Sequence, residues 1–465
     1  MQLSLNTQSN LPLVDQIVSG VRQLIDDRVQ RPGMRLPTIR GFADTHEVSR
    51  FTVVEAYDRL VALGYLQSRR GSGFYVATRQ EALVAPQRGR ENERAFDNAG
   101  LMYQCLDDTV EQVKVGAAWL PPEWMDEEGI RRNIRNLARR TDTRVVGYGT
   151  PRGYRPLREQ LQIKIGEMGI AANAGQIVLT QGATQALDII ARYLLKSGDC
   201  VFVDDPGYWN YFAALRLYGV NLIGVPRTPD GPDPDAFERL LAEHRPKFFY
   251  TNSVLHNPTA CSLSPAVAFR LLQLAEKHNF LIVEDDICAD FHPGPTTLLA
   301  QLDQLRRVIY VGSFSKTLSA NLRVGFLVAN AELAAAFTDV KIISALSSSE
   351  FSERLVYLML TEGHYRKFIE RTRSRLAQAT DGTLKLLEKM GMKVYAEPKG
   401  GMFVWAEAPG ISDSVHLASQ ATQSGIMLAP GNIFRPQMQP SPWLRFSVAY
   451  TLDPKLERFL GEALR

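Results

Sequence analysis

Five short apolar runs (177–180, 200–203, 248–250, 280–283 and 308–311) alternate with helical stretches such as 185–195 and 266–278. Strand-like runs separated by helices are the pattern of parallel βα units, so this part of the chain is predicted to form a doubly wound α/β sheet. Ligands of open sheets of this kind gather at the carboxyl ends of the strands, and the chemistry is expected there. The last hundred residues, from about 362, mix a long helical stretch (365–390) with short strands at 402–406 and 443–447, which reads as a smaller α+β domain. A length of 465 residues with 45% hydrophobic content supports these cores and a further domain.

That further domain is predicted at the amino terminus. Val14, Ile17, Val18, Val21, Leu24 and Ile25 recur at helical spacing over 13–27, and Pro32-Gly33 ends the segment. A second helix follows Pro37-Thr38. A third begins after Ser49 as its N-cap, with Val53, Val54, Tyr57, Leu60 and Leu63 as the apolar stripe and Gly64 as its end. Residues 65–70 then alternate, turn at Gly71-Ser72-Gly73 and continue through Phe74-Tyr75-Val76, the signature of a hairpin. Three helices and a hairpin predict a winged helix-turn-helix over residues 1–78. Arg50 and Thr52, just after the Ser49 cap, stand where a recognition helix reads base edges, while Arg40, Arg69 and Arg70 suit backbone or groove contacts. The alternative is a solvated basic face. Residues 1–80 hold ten arginines, no lysine and seven acids, whereas the whole chain carries only +3, so any nucleic-acid role belongs to this local patch.

Residues 79–104 are polar, charged and without periodicity, and are predicted to be a linker to a domain spanning 105–465. The four cysteines form no CxxC pair, so neither a metal site nor a disulfide framework is expected. The amino terminus lacks a leader pattern and no apolar run is long enough to span a bilayer, which predicts a soluble cytoplasmic protein with no membrane partner.

The chemistry centres on Ser313-Phe314-Ser315-Lys316, with Arg323 seven residues on. A lysine that holds pyridoxal 5'-phosphate as a Schiff base needs a phosphate cradle, a partner for the pyridine nitrogen, a donor to the ring oxygen and a stacking face. Gln181-Gly182-Ala183-Thr184 joins a strand to a helix, and its N–H groups with the Thr184 hydroxyl suit a dianion; Ser313, Ser315 and Arg323 can add to the same cradle. Asp285, ending an apolar strand, suits the pyridine nitrogen. Asn257 in His256-Asn257-Pro258 suits the ring oxygen, Tyr208 the stacking face, and Arg445 a substrate or effector carboxylate. Singly, each has a plain structural reading: a surface lysine, a helix cap, a core tyrosine. Their order, each at the end of a predicted strand, argues for one site.

With these motifs in place, residues 105–465 resemble the fold-type I, aspartate-aminotransferase-like family. The resemblance implies Lys316 as the aldimine lysine, Asp285 as the pyridinium partner, Asn257 as the ring-oxygen donor, Tyr208 as the stacking residue and Arg445 as the α-carboxylate arginine. It also implies that Tyr148, in Tyr148-Gly149-Thr150-Pro151, reaches the phosphate of a neighbouring subunit, hence a homodimer. Residues 10–78 are similar to the GntR-type winged helix through Leu36-Pro37-Thr38-Ile39-Arg40, Val48-Ser49-Arg50-Phe51-Thr52 and Arg69-Arg70-Gly71-Ser72-Gly73. The whole chain is similar to the MocR-like GntR regulators, which join both modules through a linker. It departs from the family pattern at Ile287 and Cys288, where a tyrosine is usual after the aspartate, at Ala260 for a glycine, and at Ala320-Asn321 for Pro-Gly.

Three readings follow. The resemblance favours a regulator that binds double-stranded DNA and senses pyridoxal phosphate, an amine or an amino acid through Lys316. A working aminotransferase, with Lys316 as proton shuttle, needs the same residues but leaves the DNA head without purpose. A structural DNA-binding dimer with an empty pocket sits poorly with Lys316, Asp285 and Arg323 present together.

Overall fold

The computed structural model describes residues 1, 3–6, 9, 11–69, 71–77, 100, 102–103, 106, 111–141 and 146–464. The chain divides into two compact units, Met1–Gly89 and Arg90–Arg465. Most of the predicted linker, together with Arg70 and Cys105, lies outside the described residues.

In the first unit, α1 (Leu13–Asp26), α2 (Ile39–His46) and α3 (Arg50–Ala62) precede β1 (Leu66–Arg69) and β2 (Gly73–Val76). The two strands pair antiparallel from Leu66↔Val76 to Arg69↔Gly73. Thr38 accepts from the Gly41 N–H and Ser49 from the Thr52 N–H, so the starts of α2 and α3 each have an orphan donor satisfied by a side chain. Ile17, Val21, Phe42, Val53, Tyr57 and Leu60 are fully buried and make the core. Leu63 departs from the predicted stripe: α3 ends at Ala62, Leu63 is its C-cap and stays exposed, and Ala56 fills the core instead. Helix α1 also stops at Asp26, ahead of Pro32-Gly33, with Arg28 turned into the left-handed region at φ 58°.

The second unit is built on an eight-stranded sheet. In chain order its strands and main helices are β3 (Ile177–Thr180), α4 (Ala183–Leu194), β4 (Cys200–Asp205), α5 (Trp209–Leu217), β5 (Asn221–Thr228), β6 (Gly231–Pro232), β7 (Pro246–Thr251), α6 (Pro265–His278), β8 (Leu281–Asp285), β9 (Val308–Ser313), β10 (Gly325–Val328) and α7 (Ala331–Ala345). The spatial order is β3-β10-β9-β8-β7-β4-β5-β6. All five predicted strands are present, and β4, β5, β7, β8 and β9 run parallel to one another. The sheet is mixed, because β10 is antiparallel to both β3 and β9 and β6 is antiparallel to β5. Neither β5, interrupted by Gly224 and Pro226, nor the four-residue β10 announces itself in the sequence.

Alternation along the strands feeds two cores. Val178, Val203, Phe248, Val283, Val311 and Leu327 pack with residues of α4, α5 and α7 on one face. Leu179, Phe202, Phe249, Ile282, Tyr310 and Phe326 pack with α6 on the other, in a cluster that continues into the carboxyl-terminal part of the chain. That part has α8 (His364–Lys389) over a four-stranded antiparallel sheet of β11 (Lys393–Val394), β12 (Phe403–Glu407), β13 (Ala429–Pro430) and β14 (Trp443–Ser447), in the order β11-β12-β14-β13. Among the described residues no helix is long and apolar enough to cross a membrane.

Candidate functional site

Because β4, β7, β8 and β9 are parallel, their carboxyl ends open on one side of the sheet, and the segments that follow them meet there. Tyr208, Asn252, Asn257, Asp285 and Lys316 line one cavity with Arg445. Arg445 arrives from the small sheet, where β14 is flanked by β12 and β13 (Trp405↔Arg445, Ala429↔Arg445).

The phosphate-type cradle depends on the antiparallel strand. Since β10 runs against β3 and β9, its first residue, Gly325, pairs with both Thr180 and Ser313, the last residues of its neighbours. Arg323, two residues earlier, is thereby carried between the loop after β3 and the loop that bears Lys316. Its Nη2 donates to Gln181 O at 3.0 Å. A Cβ on Gly182 would stand 2.7 Å from that same Nη2, and one on Gly325 would stand 2.6 Å from the Gly182 backbone, so both glycines are required by close approach. Gly182, at φ 80°, is the N-cap of α4 and offers no side-chain cap, which leaves the first N–H groups of that helix open to an anion. Ser313 Oγ donates to Ser315 Oγ at 3.1 Å and accepts from the Ser315 N–H at 3.1 Å, holding the turn before Lys316.

Asp285 is buried. Its Oδ2 accepts from the Tyr250 hydroxyl at 2.6 Å and its carbonyl from Asn252 Nδ2 at 2.9 Å. Its Oδ1 has no hydrogen-bond partner among the described residues. Burial pushes its carboxyl up to about 6, against the opposing pull of Tyr250, Asn252 and the Lys316 charge. Loss of water around Lys316 lowers its ammonium below the usual lysine range; Arg445 and Arg323 push the same way, while Cys288 and Asp285 oppose them. Arg445 is 2% exposed, and its guanidinium lies over the rings of Phe403 and Phe434 at 4.5 and 4.9 Å. Its Nη1 donates to Asn257 Oδ1 at 2.7 Å and its Nη2 to Gly116 O at 2.5 Å. With Oδ1 engaged, the Asn257 amide has its N–H donors to present.

Tyr208 caps α5 at the cavity wall, and burial raises its phenol. Ala183 and Thr184 open α4, and Thr184 shares a neighbouring groove with Arg323. Tyr148 is not brought to this cavity: it is 80% exposed. In the first unit, Arg50 starts α3 and is exposed, whereas the Ser49 hydroxyl is committed to the Thr52 N–H and hydroxyl at 3.0 and 2.8 Å. Arg40 is exposed beside Asp44, and the Arg69 guanidinium lies 4.5 Å over the Tyr75 ring.

Sequence reasoning missed Tyr250, Asn252 and Gly116. Tyr250 was legible only as a strand residue; its contact with Asp285 depends on β7 lying beside β8. It also missed Asp204, which holds Arg227 at 2.9 Å and faces His256 at 3.5 Å, all three buried. Burial drives that histidine down to about 4, with Arg227 adding, so it is neutral.

The aminotransferase class I and II family model matches residues 118–462, and the bacterial gntR-family regulatory protein model matches residues 13–76. The HTH-type transcriptional regulator YdfD of Bacillus subtilis is 28% identical over 97% of this chain and 95% of its own length. The probable rhizopine catabolism regulatory protein MocR of Rhizobium meliloti is 29% identical over 81% of this chain and 77% of its own. Among solved structures, the α-aminoadipate aminotransferase LysN of Thermus thermophilus, complexed with N-(5'-phosphopyridoxyl)-L-leucine, superposes with a TM-score of 0.72 at 29% identity, covering 81% of this chain and 97% of its own. The chain belongs to the class I and II aminotransferase family and carries a GntR-type helix-turn-helix head, the architecture of the MocR-type regulators.

Proposed function

We propose that the protein is a DNA-binding transcription regulator whose larger unit holds pyridoxal 5'-phosphate and responds to an amino acid or amine. The observation that carries this reading is the meeting of Lys316, Asp285, Asn257 and Arg445 in one cavity, beside the α4 amino terminus and Arg323. The residues fit the cofactor on two counts. The buried Asp285 Oδ1 has a place for a hydrogen-bond donor, and the missing Cβ at Gly182 lets the Arg323 guanidinium come close to the amino terminus of α4. When bound, the cofactor supplies an electron-poor ring and a carbonyl carbon able to bond an amine.

Lys316 holds the cofactor through Nζ, which its lowered pKa makes easier to use as a neutral amine. Asp285 Oδ1 receives the pyridine nitrogen, Asn257 Nδ2 donates to the ring oxygen, and Tyr208 gives a stacking face. The N–H groups of Ala183 and Thr184, the Ser313 and Ser315 hydroxyls and Arg323 hold the phosphate. Arg445 holds an effector carboxylate and so orients the effector amine toward Lys316. Tyr148, exposed on its own chain, completes the site of a second copy, which makes the working unit a homodimer. Arg50 and Thr52 read bases, while Arg40, Arg69 and Arg70 position the head on the phosphate backbone. Ser49 acts as the cap that presents Arg50.

Absorption spectra of the full-length protein loaded with pyridoxal phosphate, beside Lys316→Ala, test the reading. The wild type is expected to show a lysine-dependent band that amino acids shift to a stable new form, with the same compounds changing affinity for operator DNA. A second reading, transamination, is favoured by the presence of Lys316 and Arg445 in one cavity. Sustained turnover with a keto acid and no effect on DNA binding would overturn the regulator reading in its favour.

A further inference from the structure

Helix α3 turns Val53, Ala56, Tyr57 and Leu60 into the core of the first unit, all of them fully buried. At about 100° per residue, Phe51 and Glu55, each two residues from Val53, point about 160° away from it and lie about 40° from each other. Both are exposed. Phe51, at 76% exposure, stands outside the core cluster, and among the described residues of this unit no other large apolar side chain is so open. A single apolar residue on a surface usually needs no explanation. This one is the second residue of a capped helix, directly after the exposed Arg50, in the unit that the gntR-family model matches.

The first turn of a recognition helix is the part that meets base edges in the major groove. Thr52 is half-buried there, with its N–H and hydroxyl both on the Ser49 hydroxyl at 3.0 and 2.8 Å. The outward surface is therefore a guanidinium, an aromatic ring and, one turn on, a carboxylate. A ring and a carboxylate cannot hold phosphate, so this strip suits the floor of the groove and not its backbone rim. The floor presents amino and carbonyl edges and one apolar group, the C5-methyl of thymine. A phenyl ring pressed on a guanine, adenine or cytosine edge strips water from polar atoms without replacing their hydrogen bonds; against a thymine methyl it gains an apolar partner.

We propose that Phe51 is a specificity residue of the DNA head, its ring packing on the C5-methyl group of a thymine in the operator. This rests on the reading in which α3 enters the major groove, and it adds an apolar readout to the polar one assigned to Arg50. The ligand feature recognised is a single methyl group, so the contact can be removed from either side without disturbing base pairing or the fold.

The test uses the full-length protein and duplexes that it enriches from a random-sequence pool. Each thymine of the enriched sequence is replaced singly by uracil, with adenine kept opposite, and affinity is read by fluorescence anisotropy at fixed salt. Wild type is expected to lose about 4-fold at one thymine position of the site, the transfer free energy of one buried methyl group. Phe51→Ala is expected to bind the thymine duplex more weakly and to be indifferent to uracil at that same position. Its denaturant melt, its affinity for scrambled DNA and the salt dependence of binding are expected to match wild type, because no core or phosphate contact is lost. No uracil-sensitive position, or an enriched sequence without thymine, would overturn the proposal. Uracil sensitivity that persists in Phe51→Ala would assign the methyl contact to another side chain, and equal losses on enriched and scrambled DNA would make Phe51 a backbone contact; either result removes it as a thymine reader. If the protein enriches no sequence over the starting pool, base readout by α3 fails as a whole, an outcome distinct from the loss of Phe51 alone.

Discussion

Asp285 sits in the sheet with one oxygen on Tyr250 and the other without a partner among the described residues, and its carboxyl is pushed up to about 6 by burial. A folded pKa above the ordinary carboxylate value means that, without cofactor, the fold favours the protonated acid. That contribution to stability is complete below the unfolded pKa of about 4 and is lost as pH rises through 6. Cofactor binding, which needs the carboxylate, has the opposite sign: affinity is expected to fall by up to ~10-fold per unit as pH drops below 6. Titrations between pH 5 and 8 with wild type and Asp285→Asn check this. The variant is expected to bind at least ~10-fold more weakly at pH 7.5 and to show a shallower acid limb, and equal slopes would count against Asp285. Arg445→Lys keeps the charge but loses the planar fork that grips Asn257 and Gly116. It is expected to retain the lysine-dependent band and lose effector response by at least ~10-fold; an unaltered response would exclude Arg445 from effector binding. At this scale Lys316, Asp285 and Asn257 were legible because each lies in a short motif. Tyr250 was not, because its task is defined only by the strand next to it.

Among the elements, α3 separates two roles that lie side by side in sequence. Ser49 caps the helix and Arg50 is exposed at its first turn. Ser49→Ala is expected to lower the head's stability by about 1 kcal/mol in a denaturant melt. Arg50→Ala is expected to leave the melt unchanged and weaken operator binding by about 1–3 kcal/mol in a titration at fixed salt. Equal loss on operator and scrambled DNA would make Arg50 a backbone contact instead. The loop before α4 has a similar sharpness. Gly182→Ala places a methyl 2.7 Å from Arg323 Nη2 at φ 80°, so Arg323 must move. Cofactor affinity is expected to drop by at least ~10-fold while the far-ultraviolet circular dichroism stays as it was, given the loss of one charge-assisted contact. The strands over 177–180 and 308–311 were legible from apolar runs, the second continuing to Ser313 in the structure. Strand β10 was not, though it is the element that brings Arg323 to the cradle, since four apolar residues state neither partner nor direction.

For the whole molecule, the proposed exchange of Tyr148 between copies has its own test. Tyr148→Ala and Lys316→Ala chains, co-purified as a mixture, are expected to contain heterodimers with one intact site. Cofactor titration of that mixture is expected to show a wild-type-affinity fraction absent from either parent, and its absence would place Tyr148 outside the site. What the sequence by itself determined is the order of the modules and the identity of the local motifs: a capped recognition helix and hairpin, then strand-end signals for a phosphate loop, Asn-Pro, Asp and Lys. Those depend on a few adjacent residues and on periodicity, both of which are local properties of the chain. Only the tertiary structure decided the direction of β10, the grip of Tyr250 on Asp285, and the clasp in which Arg445 holds partners 188 and 329 residues away. Contacts at such separations follow from how the sheets stack and which strand ends meet, and no short window of sequence carries that information.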